Sequence, residues 1–173
     1  MNPFRPQNAL RGLGLALAAG ALLVAAPGCQ PKYEPLHARA TGRSWKLGGV
    51  DAAIEIAHDQ ASRSRGLMFR KSLPTDHGML FIYPTPRVLR FWMRNTAIPL
   101  SIAFVEETGD GKGRIANVEE MLPFVESGTV SLAPVRLALE MPQGWFAQHQ
   151  LKAGDVVDLP AWLTEIVPGD DQE

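Results

Sequence analysis

The clearest pattern in the chain is a series of short alternating segments separated by turn residues. In Val50 to Ile56, the apolar Val50, Ala52, Ile54 and Ile56 are interleaved with Asp51 and Glu55, so one face of an extended segment is buried. Ser44 to Leu47 precedes it across Gly48-Gly49, a two-residue turn suited to a hairpin. Asp59 is placed to cap a short helix that runs through Ala61, Arg63 and Arg65 and ends near Gly66. Further strands are predicted over Gly78 to Tyr83, Val88 to Arg94, Leu100 to Glu106, Arg114 to Met121 and Val156 to Leu159. Pro84, Pro86 and the Asn95 to Pro99 stretch separate the first three of these, and Thr108 to Gly113 reads as a hairpin loop. In Val135 to Met141, the residues Val135, Leu137, Leu139 and Met141 are expected to face inward, with Arg136 and Glu140 outward. A second short helix is expected around Gln143 to Gln150. Seven or eight short strands with closely spaced turn signals and two short helices predict a mainly β domain, a compact antiparallel sandwich or barrel.

The first 29 residues follow a different rule. Arg5 and Arg11 supply positive charge, Leu13 to Ala26 is almost wholly apolar, and Ala26-Pro-Gly-Cys29 closes the run. A basic head, a short apolar core and small residues before a cut site describe an export signal. The run falls short of the roughly 20 apolar residues that a spanning helix needs. Cys29 is the only cysteine, so it has no internal disulfide partner. Its setting resembles the bacterial lipobox, which implies cleavage before Cys29 and acylation of its sulfur. Gln30, and not Asp, follows the cysteine, which points to the outer membrane, facing the periplasm, if the host has one. The expected organisation is a signal peptide over 1–28, a lipidated tether over 29–42, one β-rich domain over 43–167 and an acidic tail over 168–173.

Several motifs then occur in a fixed order: Arg65-Gly-Leu-Met-Phe-Arg70, Gly78-Met-Leu-Phe81, Phe91-Trp-Met-Arg-Asn-Thr96 with Ile98-Pro-Leu100, Pro134-Val-Arg136 with Leu139-Glu140, and Gly154-Asp155. Together they resemble the uncharacterised bacterial and archaeal family known as domain of unknown function 192, over about Trp45 to Leu159. The resemblance implies a compact β-rich, sandwich-like domain, frequently exported, with no established activity. It also implies an acid after Ile-Pro-Leu, where this chain has Ser101.

The candidate chemistry centres on Val88 to Asn95. Alternation puts Leu89, Phe91 and Met93 on one face and Arg90, Trp92 and Arg94 on the other. An indole between guanidinium groups offers a stacking surface beside planar donors, which suits a carboxylate, a phosphate or a sugar acid. The competing structural reading pairs both arginines with Glu119, Glu120 or Glu140 and gives Asn95 to the following turn. Arg65 beside Gly66 is either a cation facing a ligand or a basic residue at the negative end of a helix. Among acids, Glu119, Glu120 and Glu140 are the candidates for acid–base work, should they converge on the same pocket. His37, His58, His77 and His149 lack metal spacing, and Met68, Met79, Met93, Met121 and Met141 sit in apolar segments where they fill a core. No metal or cofactor is therefore expected.

Charge bears on the partner. The full chain has 17 basic and 18 acidic residues; removing a signal that carries two arginines and no acid leaves a net charge near −3. That argues against nucleic acid, which calls for a clustered basic excess. The expectation is a membrane-anchored envelope lipoprotein, attached to the bilayer through acylated Cys29, whose domain binds an anionic small molecule, a glycan or a protein. The alternative is an envelope hydrolase or transferase acting on cell-wall or carbohydrate material.

Overall fold

The structure, a computed structural model, describes residues 43–169. Cys29 and the segments expected to be signal and tether lie outside the described residues. The first hairpin forms as its turn predicts: β1 (Ser44–Leu47) pairs antiparallel with β2 (Val50–Ala57) around Gly48 and Gly49, whose φ values are +55° and +84°. The chain then crosses over through α1 (Gln60–Arg65), so that β3 (His77–Arg87) lies parallel to β2. The helix starts where Asp59 accepts a bond from the Ser62 N–H at 2.8 Å while the Asp59 N–H donates to the Ser62 hydroxyl at 3.2 Å.

β3 is followed by the two-residue β4 (Arg90–Phe91), then by β5 (Leu100–Gly109) and β6 (Lys112–Met121), a hairpin. β7 (Thr129–Val130) pairs with β4 as a small separate sheet, and β8 (Val135–Pro142) returns between β3 and β5. The chain ends with α2 (Trp145–Gln148), β9 (Val156–Asp158) and a 3-10 turn at Ala161–Glu165. The main sheet runs β1-β2-β3-β8-β5-β6-β9. It curls until the Trp45 indole N–H donates to the Asp158 carbonyl at 2.7 Å, joining the two edge strands. The result is a seven-stranded, nearly closed barrel-like sheet, mainly β as the turn spacing predicts.

Three local expectations change. The strand expected over Val88 to Arg94 shrinks to Arg90–Phe91, because the Met93 N–H donates to the Val125 carbonyl and the Thr96 N–H to the Met93 carbonyl, a turn and not a ladder. β3 continues through Pro84 and Pro86, where its pairing with β8 is interrupted between Ile82 and Arg87 and no ladder donor is required of the prolines. Glu140 is not outward: β8 is a central strand with both faces covered, and Glu140 is only 4% exposed.

Two apolar clusters fill the fold. The first gathers Trp45, Ile54, Leu80, Leu137, Leu139, Met141, Trp145 and Phe146. The second gathers Leu67, Phe81, Leu89, Phe91, Met93, Ile102, Phe104 and Ala138. Met79, Met93, Met121 and Met141 are all buried in these clusters. Gly78 makes this packing feasible, since a Cβ there would stand 2.5 Å from the Glu140 carbonyl oxygen and 2.2 Å from the Met141 sulfur. Beyond the barrel, Gly169 is tied by its N–H to the His58 carbonyl at 2.8 Å and by its carbonyl to Arg63 at 3.1 Å.

Candidate functional site

The C-terminal end of α1 borders a cleft of about 70 Å³, lined chiefly by Arg65, Gly66, Tyr83, Arg90, Trp92 and Glu140. That volume holds a few waters or one carboxylate- or phosphate-sized group, since one water needs roughly 10–15 Å³ on this measure. Gly66 shapes its edge. The residue takes φ +46°, and a Cβ would meet the Phe81 ring at 3.1 Å, so only glycine ends the helix here without displacing the wall.

The cations differ in how they are held. Arg63 is buried and structural, donating to the His58 carbonyl at 2.6 Å and the Ile82 carbonyl at 2.9 Å, with its guanidinium 4.9 Å from the Tyr83 ring centre. Arg90 lies exposed across Gly128 and donates to the Ser127 carbonyl at 3.2 Å. Neither Arg90 nor Arg94 has a carboxylate partner among the described residues, so the pairing with Glu119, Glu120 or Glu140 does not form. Arg94 stacks towards the half-exposed Trp92 at 5.9 Å but does not line the cleft.

Asn95 is also outside the cleft. Its φ of +54° turns the chain, and its carbonyl accepts the Phe69 N–H at 2.8 Å. The neighbouring Thr96 carbonyl accepts the Phe124 N–H at 3.2 Å. Loops 67–70, 92–96 and 122–125 are thereby knotted together beside the cleft. Phe69 and Phe124 pay for that knot with φ values of +63° and +61° while remaining exposed.

Of the three candidate acids, only Glu140 reaches the cleft. Glu119 accepts from the Asn117 amide at 3.1 Å, and Glu120 accepts from the Ser101 hydroxyl at 2.7 Å. Ser101 is fully buried and also accepts the Gly144 N–H at 2.8 Å. Where the family resemblance implies an acid, this chain thus has a hydroxyl bridging Glu120 to the start of α2. The Glu140 carboxyl makes no hydrogen bond to another described residue, and burial pushes its pKa up to about 8, an effect that the nearby Arg70 guanidinium opposes. Arg70 is itself occupied by Glu55, which accepts two 2.6 Å bonds from it in a buried bidentate pair.

Sequence reading missed Glu140's burial and the Arg70–Glu55 pair. For Glu140 the local hint was slight: Ala138 is the one apolar residue between Arg136 and Glu140 on that face of β8. The pair had no local signal, because 15 residues separate its members.

Two larger hollows lack comparable chemistry. One of about 490 Å³ follows the seam between β1 and β9, where Lys46 and Asp158 are the lining charges and Asp158 already pairs with Lys112 at 2.6 Å. Another of about 220 Å³ contains Glu107 and Arg136, which pair with each other at 2.6 Å.

The comparisons with known proteins agree with this fold. The family model DUF192, described as Uncharacterized ACR, matches residues 43–159. A crystal structure of a protein of unknown function from Novosphingobium aromaticivorans is similar at 33% identity and a TM-score of 0.57, covering 65% of this chain and 80% of that one. A second, from Sinorhizobium meliloti and provisionally described as a transcription regulator, is similar at 32% identity and a TM-score of 0.58, covering 67% of this chain and 90% of that one. No curated protein matches the chain. The chain belongs to the DUF192 family.

Proposed function

We propose that this member of the DUF192 family is a lipid-anchored protein of the cell envelope whose β domain binds the oxyanion group of an anionic small molecule or glycan. Cys29 would hold it to the bilayer, on the outer membrane facing the periplasm where the host has one. The observation that carries the binding reading is the cleft itself. It brings Arg65, Arg90 and the Trp92 ring together around a buried floor, and among the described residues Arg90 bonds only a backbone carbonyl. A cation in that state has donors to spare for a bidentate grip on a carboxylate or phosphate. The small volume suits one such group, with the rest of the ligand lying outside over Trp92. Nucleic acid is not the anion proposed, since the chain beyond its signal is net acidic.

Glu140 lends some weight to a hydrolase or transferase, because a carboxyl kept protonated near neutrality suits a general acid. Glycoside hydrolysis in its usual form takes two carboxyl groups across the scissile bond, however. Glu119 and Glu120 lie outside the cleft, so binding is the better-supported reading.

Isothermal titration of the detergent-solubilised protein with glucuronate, sulfate and a nucleoside monophosphate tests the binding. Arg90→Ala should weaken the anion that binds by about tenfold or more, the loss of one charge-assisted bidentate contact. Arg94→Ala should leave it within about twofold, because Arg94 stands outside the cleft. Equal affinity in wild type and Arg90→Ala would refute the site. The anchor is tested separately, by palmitate labelling of cells, which Cys29→Ala should abolish.

A further inference from the structure

One feature of the cleft goes unused by a plain cationic binding site: its floor is an acid. We infer that Glu140 acts in ligand binding as a proton donor, giving its O–H to one oxygen of the bound carboxylate or tetrahedral oxyanion while the cleft's guanidinium groups hold the others. This inference rests on the binding reading above and adds to it a role for the proton.

The geometry carries the argument. Glu140 is 4% exposed and lines the cleft, yet its carboxyl has no hydrogen-bond partner among the described residues. A carboxyl that lines a cleft without a protein partner there is positioned to be satisfied by what enters. The strands on either side do not satisfy it. Its cross-strand neighbours are Met79 on β3 and Ile102 on β5, which have no strong hydrogen-bonding side chain. Arg70, the cation whose charge acts on it, gives two bonds to Glu55 on β2. The other charged and titratable groups that line this space are Arg63 and Arg65 on α1, Tyr83 on β3 and Arg90 on β4.

An ionised Glu140 would repel an incoming anion in this small, poorly hydrated space, whereas the neutral acid attracts it. Burial already holds the carboxyl neutral up to about pH 8. A bound anion stabilises the protonated form further, so binding above that pH must take up a proton. Affinity is then level below about pH 8 and falls about tenfold per pH unit above it, the limit for one coupled proton.

Titration calorimetry of the whole protein from roughly pH 6 to pH 10 is the test, with glucuronate as the carboxylate probe and sulfate as the tetrahedral one, since neither titrates in that range. Wild type should lose affinity above about pH 8, whereas Glu140→Gln, whose amide also donates, should bind with a level profile. The same fall in Glu140→Gln overturns the inference, because another group would then be responsible. Absence of binding by either probe at every pH overturns the binding reading as well. Should Glu140→Gln fail to fold, wild type alone decides the matter. At pH 9, binding heats in buffers of different ionisation enthalpy should report about one proton taken up per ligand, and none would overturn the inference. The two probes separate a site for carboxylates from one for tetrahedral oxyanions.

Discussion

The two faces of β8 are both covered over Ala138 to Met141 and chemically unlike. On one, Leu137, Leu139 and Met141 are at most 1% exposed and pack in the cluster that holds Trp45, Trp145 and Phe146. Every polar atom that this cluster's indoles bury is satisfied: Trp45 donates to the Asp158 carbonyl at 2.7 Å and Trp145 to the Asp76 carboxylate at 2.8 Å. On the other face, Ala138 enters the second cluster while Glu140, 4% exposed, lines the cleft with a carboxyl that bonds no other described residue. The loops in which Phe69 and Phe124 hold positive φ are tied to Asn95 and Thr96 beside the cleft. The first face follows the rules for stability and the second departs from them in one place, which is the expected signature of a site. The comparison teaches that burial alone does not identify a structural residue; what the buried group bonds to does.

The largest effect that does not depend on pH should come from the stable face. Leu139→Ala removes a fully buried side chain from close packing and should cost about 2–5 kcal/mol, transfer and cavity together, measured by urea denaturation. That loss should be independent of pH and should leave the affinity for the anion that binds unchanged in whatever protein remains folded. A cost under about 1 kcal/mol would mean the two faces do not differ in the way described.

Glu140→Gln should behave in the opposite manner, with an effect set by pH. The unfolded chain releases this proton near 4.5, as a free glutamate side chain does, and the folded chain keeps it to about 8. Between those values the folded state binds more protons, so wild-type stability declines as pH rises, by up to about 1.4 kcal/mol per unit from this group. Below 4.5 the penalty is absent, and above about 8 it is complete. The variant lacks this slope and should gain on wild type as pH increases across the window. Denaturation midpoints taken from roughly pH 4 to pH 9 would show parallel curves if Glu140 were solvated or paired.

How much of this was legible from the chain depends on whether the governing contacts are local. The β1–β2 hairpin and α1 were readable because Gly48-Gly49, Asp59 and Gly66 determine their own neighbourhoods. The exposure pattern of Leu89 to Arg94 was equally plain, with Leu89, Phe91 and Met93 buried and Arg90, Trp92 and Arg94 exposed. Its ladder was not, because a strand needs a partner, and Thr129–Val130 offers only two residues across from Arg90 and Phe91. The site was half visible for the same reason. Arg65, Arg90 and Trp92 announced themselves by type and spacing, whereas bringing them to Glu140 required α1 and β4 to fold over β3 and β8, information held in long-range packing.

The smallest effect lies in the strained loops, and it separates strain kept for shape from strain that nothing requires. Phe124 is 64% exposed with φ at +61°, a conformation that costs a non-glycine residue about 1–2 kcal/mol. Truncating so exposed a ring loses little burial. Phe124→Gly should relieve the backbone, against about 0.5–1 kcal/mol for glycine's greater freedom when unfolded, for a net gain under about 1 kcal/mol. Leu132→Gly is the control, because Leu132 is 79% exposed without a positive φ and should therefore lose stability on the same change. Thermal denaturation of the pair should move in opposite directions, and movement in the same direction would remove strain from the account of this face. Anion affinity then assigns the cause. The Phe124 N–H bond to the Thr96 carbonyl survives in glycine, so the loop knot can persist without the side chain. Unchanged binding in Phe124→Gly would make the strain a consequence of closing three loops beside the cleft, whereas weakened binding would make the exposed ring part of what the ligand touches.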